Sequence, residues 1–236
     1  MTNAWMIRHG ESESNARRPT DHPATVPLTE RGREQAGRVA RAFSRAPHLV
    51  VVSPYLRTSE TAAPTRHAFP DVETAEWPVQ EFTYVAPERY RGTTVDDRRA
   101  FVRDYWRRLD PDFRDGEGAE SFRDLVERIE RVGDMLRETQ RGRPDRFLAV
   151  FSHGQFIRAL LWWNLRGARE IDGRAMTQFL GFLRGVVVPN GGIVPAQVGE
   201  DGLRWGGIRV DHLGGVCWPD EASHDAIWTD EAAIDG

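Results

Sequence analysis

Short apolar runs alternate with helical patterns along this chain, and that alternation restricts the fold more than any other feature of the sequence. The runs 4–8, 49–52 and 147–151 each end in polar residues, as buried strands do. Apolar residues recur at helical spacing over about 30–45 and 121–141. Strands that alternate with helices form parallel sheets. The sequence therefore predicts an α/β fold, a three-layer sandwich with a mostly parallel central sheet flanked by helices.

The remaining elements are predicted from shorter patterns. A third strand over 72–80 is expected to end just before Glu81, and a helix over 96–109 lies in a polar stretch rich in Arg and Asp. One further helix should follow Ser53-Pro54. Another should follow the strand 147–151 and run through Leu165. Three late strands are predicted at 186–188, 192–198 and 203–210.

Length, charge and cysteine content limit the class of protein. The 236 residues suit a single domain over 1–215 with an inserted lid segment at about 82–118 and an acidic C-terminal tail over 216–236. A net charge of −4 offers no general attraction for nucleic acid or a membrane surface. The only cysteine, Cys217, can form neither an internal disulfide nor a cysteine-based zinc site. We therefore expect a cytoplasmic protein with no nucleic-acid or membrane partner, and leave a homodimer open.

Polar residues follow three of the predicted strands at the point where each strand turns into a helix. They are Arg8-His9, then Ser53 with Arg57, and then Ser152-His153. Ligands of open α/β sheets bind at the carboxyl ends of the strands. Two guanidinium groups and two imidazoles should thus share one crevice, where arginines offer paired donors to phosphate oxygens and helix N-termini add backbone N–H groups.

This set of residues is sufficient for phosphoryl transfer through a covalent intermediate. A neutral imidazole is a competent nucleophile, and nearby arginines disfavour a positive charge on His9. His153 and the arginines would stabilise charge on the transferring group. The leaving alkoxide needs a proton, for which Glu81 is the candidate donor and Glu76 its rival.

Six segments of the sequence resemble the histidine phosphatase superfamily, which includes the cofactor-dependent phosphoglycerate mutases. Their order and spacing agree with that family from about residue 4 to residue 213. The matching segments are Arg8–Asn15, Pro27–Ala36, Ser53–Ala62, Glu120–Phe122, Val150–Gly154 and Asn190–Ile193.

The resemblance implies a role for each matching residue. His9 looks like the residue that is phosphorylated, and Arg8, Arg57 and His153 look like the rest of the phosphate pocket. Glu81 looks like the proton donor, on position alone. Asn15 resembles a further phosphate or substrate contact, and Gly154 a position where the backbone approaches closely. The family resemblance implies no metal and no cofactor, and a small-molecule phosphate ester as the partner.

Two departures from the family pattern bear on the activity. The segment between Asn15 and Pro27 lacks the family's Thr-Gly pair, so Thr20 or Thr25 is expected to replace that contact. The stretch that begins at Glu81 does not carry the mutase's substrate-clamping pattern. These differences favour a phosphatase, a histidine acid phosphatase-like phosphoric monoester hydrolase, over a mutase; a non-catalytic phosphate-ligand binding protein is the third hypothesis.

The inserted segment is rich in arginine, and two interpretations of these side chains remain open. They form either a basic patch that faces the substrate or a solvated helix face balanced by neighbouring aspartates. The arginines concerned are Arg89, Arg91, Arg98, Arg99, Arg103, Arg107 and Arg108.

Overall fold

A single six-stranded sheet forms the centre of the computed structural model, which describes residues 3–143, 145–167, 169–199 and 202–216. The strands are β1 (Ala4–Arg8), β2 (Leu49–Val52), β3 (Thr74–Glu76), β4 (Leu148–Ser152), β5 (Ile193–Gly199) and β6 (Gly202–Trp205). Their order across the sheet is β3-β2-β4-β1-β5-β6. β4 therefore lies between β1 and β2, the two strands that precede the predicted phosphate-binding residues.

Four adjacent strands of the sheet run parallel. β4 pairs in parallel with β1 and with β2, and β2 pairs in parallel with β3. β5 and β6 add an antiparallel edge. In the β1–β4 register, Arg8 lies opposite Ser152, so the two strands end side by side. The prediction of a mostly parallel sheet is confirmed.

Six α-helices surround the sheet. Their bounds are α1 (Glu30–Arg41), α2 (Leu56–Ala68), α3 (Arg99–Arg108), α4 (Phe122–Gln140), α5 (Gly154–Leu165) and α6 (Gly173–Gly185). The Thr29 side chain caps α1 by accepting the Gly32 N–H. Ser121 and Asp124 form a reciprocal capping box that starts α4. These two helices begin where the sequence predicts them, because polar capping residues satisfy their first N–H groups.

Alternating residues of the strands contribute to two hydrophobic cores, one on each face of the sheet. Met6 and Val150 join the larger core, which holds the buried sides of α3, α4, α5 and α6. Ile7 and Phe151 join the smaller core, which includes residues of α1 and α2. Successive side chains of a strand point to opposite faces, so this division produces the predicted three-layer sandwich.

Residues 82–118 are partly built into the larger core. A 3-10 helix (Pro87–Tyr90) and α3 are its regular elements. Phe82 stacks against Tyr84, with ring centroids 4.9 Å apart, and Trp106 packs edge-on to Phe122 at 6.3 Å. The segment is thus anchored by aromatic packing along part of its length.

Several predicted boundaries are wrong. β3 ends at Glu76 rather than at residue 80, because the Val79 N–H turns back to the Trp77 carbonyl over 2.7 Å. Residues 186–188 form no strand; Val186 closes α6, a helix that the sequence interpretation omits. The last predicted strand is shorter and ends at Trp205.

Two further predictions concern the C-terminal tail and a membrane partner. Nearly all of the predicted acidic tail, residues 217–236 including Cys217, lies outside the described residues. Within the described part of the chain, no helix combines the length and apolar character needed to cross a membrane.

Candidate active site

The three predicted strand ends meet at one cavity. Arg8 closes β1 and His9 follows it, Arg57 lies in the first turn of α2, and Glu81 lies in the loop after β3. These four residues and Asn15 line a cavity of about 130 Å³. The strand order brings the groups together, because β1, β4 and β2 are neighbours whose carboxyl ends share one edge of the sheet.

Hydrogen bonds determine which ring nitrogen of His9 carries the proton. Nδ1 lies 2.6 Å from the carbonyl oxygen of Gly10, which can only accept. Arg57 donates from its Nε to Nε2 of His9 over 3.1 Å, and a guanidinium can only donate. The ring is therefore neutral, with its proton on Nδ1 and a lone pair on Nε2. That lone pair is what a nucleophilic imidazole requires.

The surroundings of His9 stabilise this neutral form. Burial lowers the pKa of His9 well below its ordinary value, and the charges of Arg57 and Arg8 lower it further, against an opposing effect of the bond to Gly10. Desolvation and positive neighbours both disfavour an imidazolium. His9 should thus keep its lone pair in mildly acidic solution.

Backbone carbonyls hold the two arginines beside His9. Arg8 donates from Nη1 to the Val188 carbonyl over 2.7 Å, and Arg57 donates from Nη1 to the Pro23 carbonyl over 2.6 Å. The Arg57 guanidinium also lies 5.0 Å from the centre of the Tyr55 ring. Burial lowers the pKa of Arg57 from its ordinary value. Arg57 is thus held through two nitrogens, Nε and Nη1, and the Nη1 bond of Arg8 helps to orient its guanidinium before an anion binds.

His153 lies behind His9 rather than among the residues that line the cavity. It is fully buried, and its ring centroid is 5.1 Å from that of His9. Nε2 of His153 hydrogen-bonds to Oγ of Ser53 over 2.7 Å. Burial, followed by the charge of Arg57, lowers its pKa well below the ordinary value. In this arrangement the ring of His153 packs against that of His9, and its role toward a phosphoryl group stays a prediction.

Glu81 occupies the N-terminus of α5. Its Oε1 accepts from the N–H of Phe82 and of Phe156, each over 3.1 Å, and Oε2 accepts from the N–H of Gln155 over 3.3 Å. Half-buried at the cavity wall, the carboxyl group has a fixed orientation toward the site. The rival carboxylate, Glu76, is exposed at the end of β3 and does not line the cavity.

Asn15 and Gly154 both lie close to the residues of the cavity. Asn15 lines the cavity, and its Oδ1 accepts from Ser12 and from Nδ2 of Asn190. Gly154 faces Arg8: a Cβ atom built on this glycine would lie 3.0 Å from Nε of the arginine. Gly154 therefore leaves room for the guanidinium, so its effect on phosphate binding would act through Arg8.

The replacements expected for the missing Thr-Gly pair do not face the cavity. Thr20 forms an isolated bridge with Thr93, and the Thr25 hydroxyl group bonds to the His22 carbonyl. Pro23 and Val26 line the wall at this point instead. This prediction is wrong, since neither threonine is among the residues that line the cavity and the backbone of Thr20 pairs with the inserted segment.

The structure places at the site several residues that the sequence interpretation did not assign to it; for Arg98 it had left open a substrate-facing basic patch or a solvated helix face. Asn190 donates from Nδ2 to the His9 carbonyl over 3.1 Å. Tyr90, Arg98 and Arg17 line the cavity. Asn190 lies in a segment that matches the family, which was a usable signal. Tyr90 and Arg98 come from the inserted segment and Arg17 from a loop, where no motif marks them.

The described residues contain no group of three or more His, Cys, Asp or Glu side chains that could hold a metal ion. The arginines that line the cavity are Arg8, Arg17, Arg57 and Arg98. Arginine is suited to binding a phosphate group because its planar donors match phosphate oxygens.

Fold and site together define an α/β protein with a neutral histidine in a cationic pocket. The chain belongs to the histidine phosphatase superfamily (branch 1), whose family model matches residues 4–181. No curated protein sequence matches it.

Solved structures with the same fold include several phosphatases. The α-ribazole phosphatase of Shigella flexneri is 20% identical, with a TM-score of 0.66, and the match covers 88% of this chain and 96% of that one. A phosphoserine phosphatase mutant of Entamoeba histolytica, in complex with phosphoserine, is 19% identical, with a TM-score of 0.66 and coverage of 90% and 100%. A mycobacterial glucosyl-3-phosphoglycerate phosphatase is 22% identical, with a TM-score of 0.63 and coverage of 89% and 98%. At these identities the likeness establishes the fold.

Proposed function

We propose that this protein hydrolyses a small-molecule phosphomonoester through a phosphohistidine intermediate on Nε2 of His9. The observation that carries the proposal is the hydrogen-bonding of that ring, which leaves the Nε2 lone pair directed to Arg57 beside a cationic cavity. A phosphate dianion attracted by Arg8 and Arg57 would replace the weak Arg57–His9 contact with charge-assisted hydrogen bonds. Its phosphorus would then lie next to the nucleophile.

In the first step, Nε2 of His9 attacks phosphorus and the bond from phosphorus to the ester oxygen breaks. The electron pair of that bond leaves with the oxygen, and Glu81 supplies the proton that converts the alkoxide into an alcohol. Oε2 of Glu81, which accepts the longer of its backbone bonds, is the oxygen that carries this proton. Arg8 and Arg57 stabilise the negative charge on the equatorial oxygens.

In the second step, water attacks the phosphohistidine and the nitrogen–phosphorus bond breaks. The Glu81 carboxylate takes a proton from the water, which restores the acid for the next cycle. The His9 ring recovers its lone pair on Nε2 and keeps its proton on Nδ1, which is hydrogen-bonded to the Gly10 carbonyl throughout. The products are the alcohol and inorganic phosphate.

Turnover of a broad panel of phosphomonoesters, combined with rapid-quench trapping, tests this proposal. The wild type should release phosphate and form an acid-labile, base-stable phosphoenzyme, and His9→Ala should do neither. His67→Ala is the matched control, since His67 is exposed on α2 and distant from the cavity lining.

Other outcomes would support the competing functions. A phosphoenzyme that resists water until an acceptor alcohol is added would indicate a mutase. Full turnover by His9→Ala would contradict the assignment of the nucleophile. A wild type that binds phosphomonoesters and never forms a phosphoenzyme would indicate a binding protein.

A further inference from the structure

Arg98 is a third buried arginine at the cavity, in addition to Arg8 and Arg57. Only 4% of its surface is exposed, and it lines the cavity from the inserted segment, directly before α3. Its guanidinium stacks 4.1 Å from the centre of the Tyr90 ring. The proposed mechanism uses the other two arginines and gives no task to this one.

The contacts of Arg98 occupy one of its three nitrogens. Nη1 donates to the carbonyl and the hydroxyl oxygen of Thr93, over 2.8 and 2.7 Å. The adjacent carboxylate of Asp97 is held by the N–H and hydroxyl group of Thr94, over 2.8 and 2.7 Å. Among the described residues, Nε and Nη2 of Arg98 have no hydrogen-bond partner and no carboxylate lies within salt-bridge distance.

The same edge of the guanidinium binds carboxylates elsewhere in this chain. Arg128 holds Glu120 through Nε and Nη2 over 2.7 and 2.8 Å. Arg89 holds Asp115 through the same two nitrogens over 2.6 and 3.1 Å. The two parallel N–H groups match the two oxygens of a carboxylate. Arg98 presents the same donor pair at a cavity wall without such a partner.

A buried cation that is not directly paired costs free energy, and the nearby charge of Asp97 offsets only part of that cost, so an anionic ligand that bonds to Arg98 is favoured. Burial also lowers the pKa of Arg98 from its ordinary value. Tyr90 and the Thr93 oxygens fix its position, so little side-chain entropy is lost when an anion binds. An arginine that only supports the loop would not need to face the substrate cavity.

We propose that Arg98 binds a carboxylate of the substrate, so that the substrates are small phosphomonoesters whose alcohol portion carries a carboxylate. This inference depends on the proposed function. The cavity, about 130 Å³, is small beside the 300–1000 Å³ typical of sites for larger ligands, which favours a short molecule. Val85, Val95 and Val102 also line it and suit an aliphatic chain between the two anionic groups.

Binding to the His9→Ala protein tests the inference without turnover. The two ligands are propyl phosphate and 3-(phosphonooxy)propanoate, in which a carboxylate replaces the terminal methyl group. Calorimetry should show that the carboxylate compound binds about 10- to 100-fold more tightly, as expected for charge-assisted hydrogen bonds in a buried site. That preference should disappear when Arg98→Gln is added and should be partly retained with Arg98→Lys, which keeps the charge but loses the donor pair.

Two controls keep the test specific. Arg103→Gln, an exposed position on α3, should leave the preference intact. Binding of propyl phosphate should change little in Arg98→Gln, which shows that the phosphate pocket remains folded. Equal affinity for the two ligands, no binding of either, or equal weakening of both by Arg98→Gln would overturn the inference.

Further outcomes separate the kind of anion from the function of the site. Tighter binding of propane-1,3-diyl bisphosphate than of the carboxylate compound would assign Arg98 to a second phosphate and overturn the carboxylate. If the carboxylate compound binds with the expected preference but the wild type does not hydrolyse it, the subsite stands and the phosphatase proposal fails.

Discussion

Arg57 and His9 are in contact through a 3.1 Å hydrogen bond from Nε of the arginine to Nε2 of the histidine. Because that bond and the Nδ1 contact with Gly10 fix one tautomer, the nucleophilic nitrogen is set before a ligand arrives. The same guanidinium is also a candidate ligand for the phosphate. Arg57 would thus both fix the tautomer of His9 and bind the phosphate, and a substitution of Arg57 should separate these two roles.

Replacement of Arg57 by lysine keeps a positive charge but removes the Nε donor. We expect kcat/KM for phosphomonoesters to fall by about 100- to 1000-fold, since preorganised donors to the transferring group contribute on that scale. Nitrogen NMR of His9 should show Nδ1 protonated in the wild type at neutral pH and a mixture of tautomers in Arg57→Lys. If Nδ1 stays protonated in Arg57→Lys, the hydrogen bond to the Gly10 carbonyl is sufficient by itself to fix the tautomer of His9.

The two fully buried histidines predict loss of stability in acid. The pKa values of His9 and His153 are lowered in the folded protein, whereas the unfolded chain keeps the ordinary value of 6.5. As pH falls below 6.5, the two histidines bind protons in the unfolded state but stay neutral in the folded state, so unfolding becomes more favourable. The slope is about 1.4 kcal/mol per pH unit for each histidine.

Urea unfolding at pH 7.5 and 5.5 measures this effect. The free energy of unfolding should drop by about 2.7 kcal/mol between these pH values from the two histidines together. In His153→Gln the drop should be about half as large. His67→Gln, altered at an exposed position, should match the wild type. A pH-independent free energy of unfolding would show that the two rings are not held neutral.

Gly154→Ala should impair the site and preserve the fold. The new Cβ would lie 3.0 Å from Nε of Arg8 and 3.1 Å from its Cζ, so the guanidinium must shift. Since displacement of about 1 Å in a positioning group can cost 100-fold, we expect kcat/KM to fall by about 10- to 100-fold. The melting temperature should stay close to that of the wild type, because alanine suits a helix. Gly181→Ala in α6, which meets nothing within 4 Å, is the control.

A buried ion pair holds both sides of the loop that carries Glu81. Arg128 donates from Nη1 to the Gln80 carbonyl over 2.8 Å and binds Glu120, whose Oε2 accepts the Thr83 N–H over 3.2 Å. The side chains of the pair are 4% and 19% exposed. We infer that Arg128 and Glu120 are positioning residues that act through Glu81.

Leaving-group dependence distinguishes this role from a general effect on folding. In Glu120→Gln, hydrolysis of an alkyl phosphate should slow about 10- to 100-fold, because its alkoxide needs the proton of Glu81. Hydrolysis of 4-nitrophenyl phosphate, whose leaving group needs no proton, should change little. Arg137→Gln, which breaks an exposed pair on the same helix, should affect neither substrate. Equal slowing of both substrates by Glu120→Gln would contradict the positioning role.

Elements that depend on local patterns are predictable from this sequence. The strand that ends at Arg8 is an uninterrupted apolar run, and Thr29 and Ser121 mark helix starts by side-chain capping. Helix α6 had a readable signal too, since Ala175, Met176 and Phe179 recur at helical spacing. Three glycines within it obscure that pattern.

Features that depend on contacts between distant segments are not predictable in this way. β3 stops at Glu76 because of a backbone turn, and the polar loop beyond it is held by Arg128, a residue of a different element. The position of His153 behind His9 depends on its bond to Ser53, which directly follows β2. The sequence left open whether the arginines of the inserted segment face the substrate, and it could not distinguish Arg98, which lines the cavity, from its neighbour Arg99, which pairs with Asp96.

The sheet order has a consequence for the synthesis of this protein on the ribosome. β1 and β2 emerge early, yet neither pairs with the other, since β4 separates them. Arg8 and Arg57 therefore cannot be fixed at their final distance until a strand encoded much later has left the exit tunnel. In a nascent chain that stops before β4, His9 should be present but the cavity around it should not yet be formed. The proposed binding of phosphate should then be possible only after most of the polypeptide has been translated.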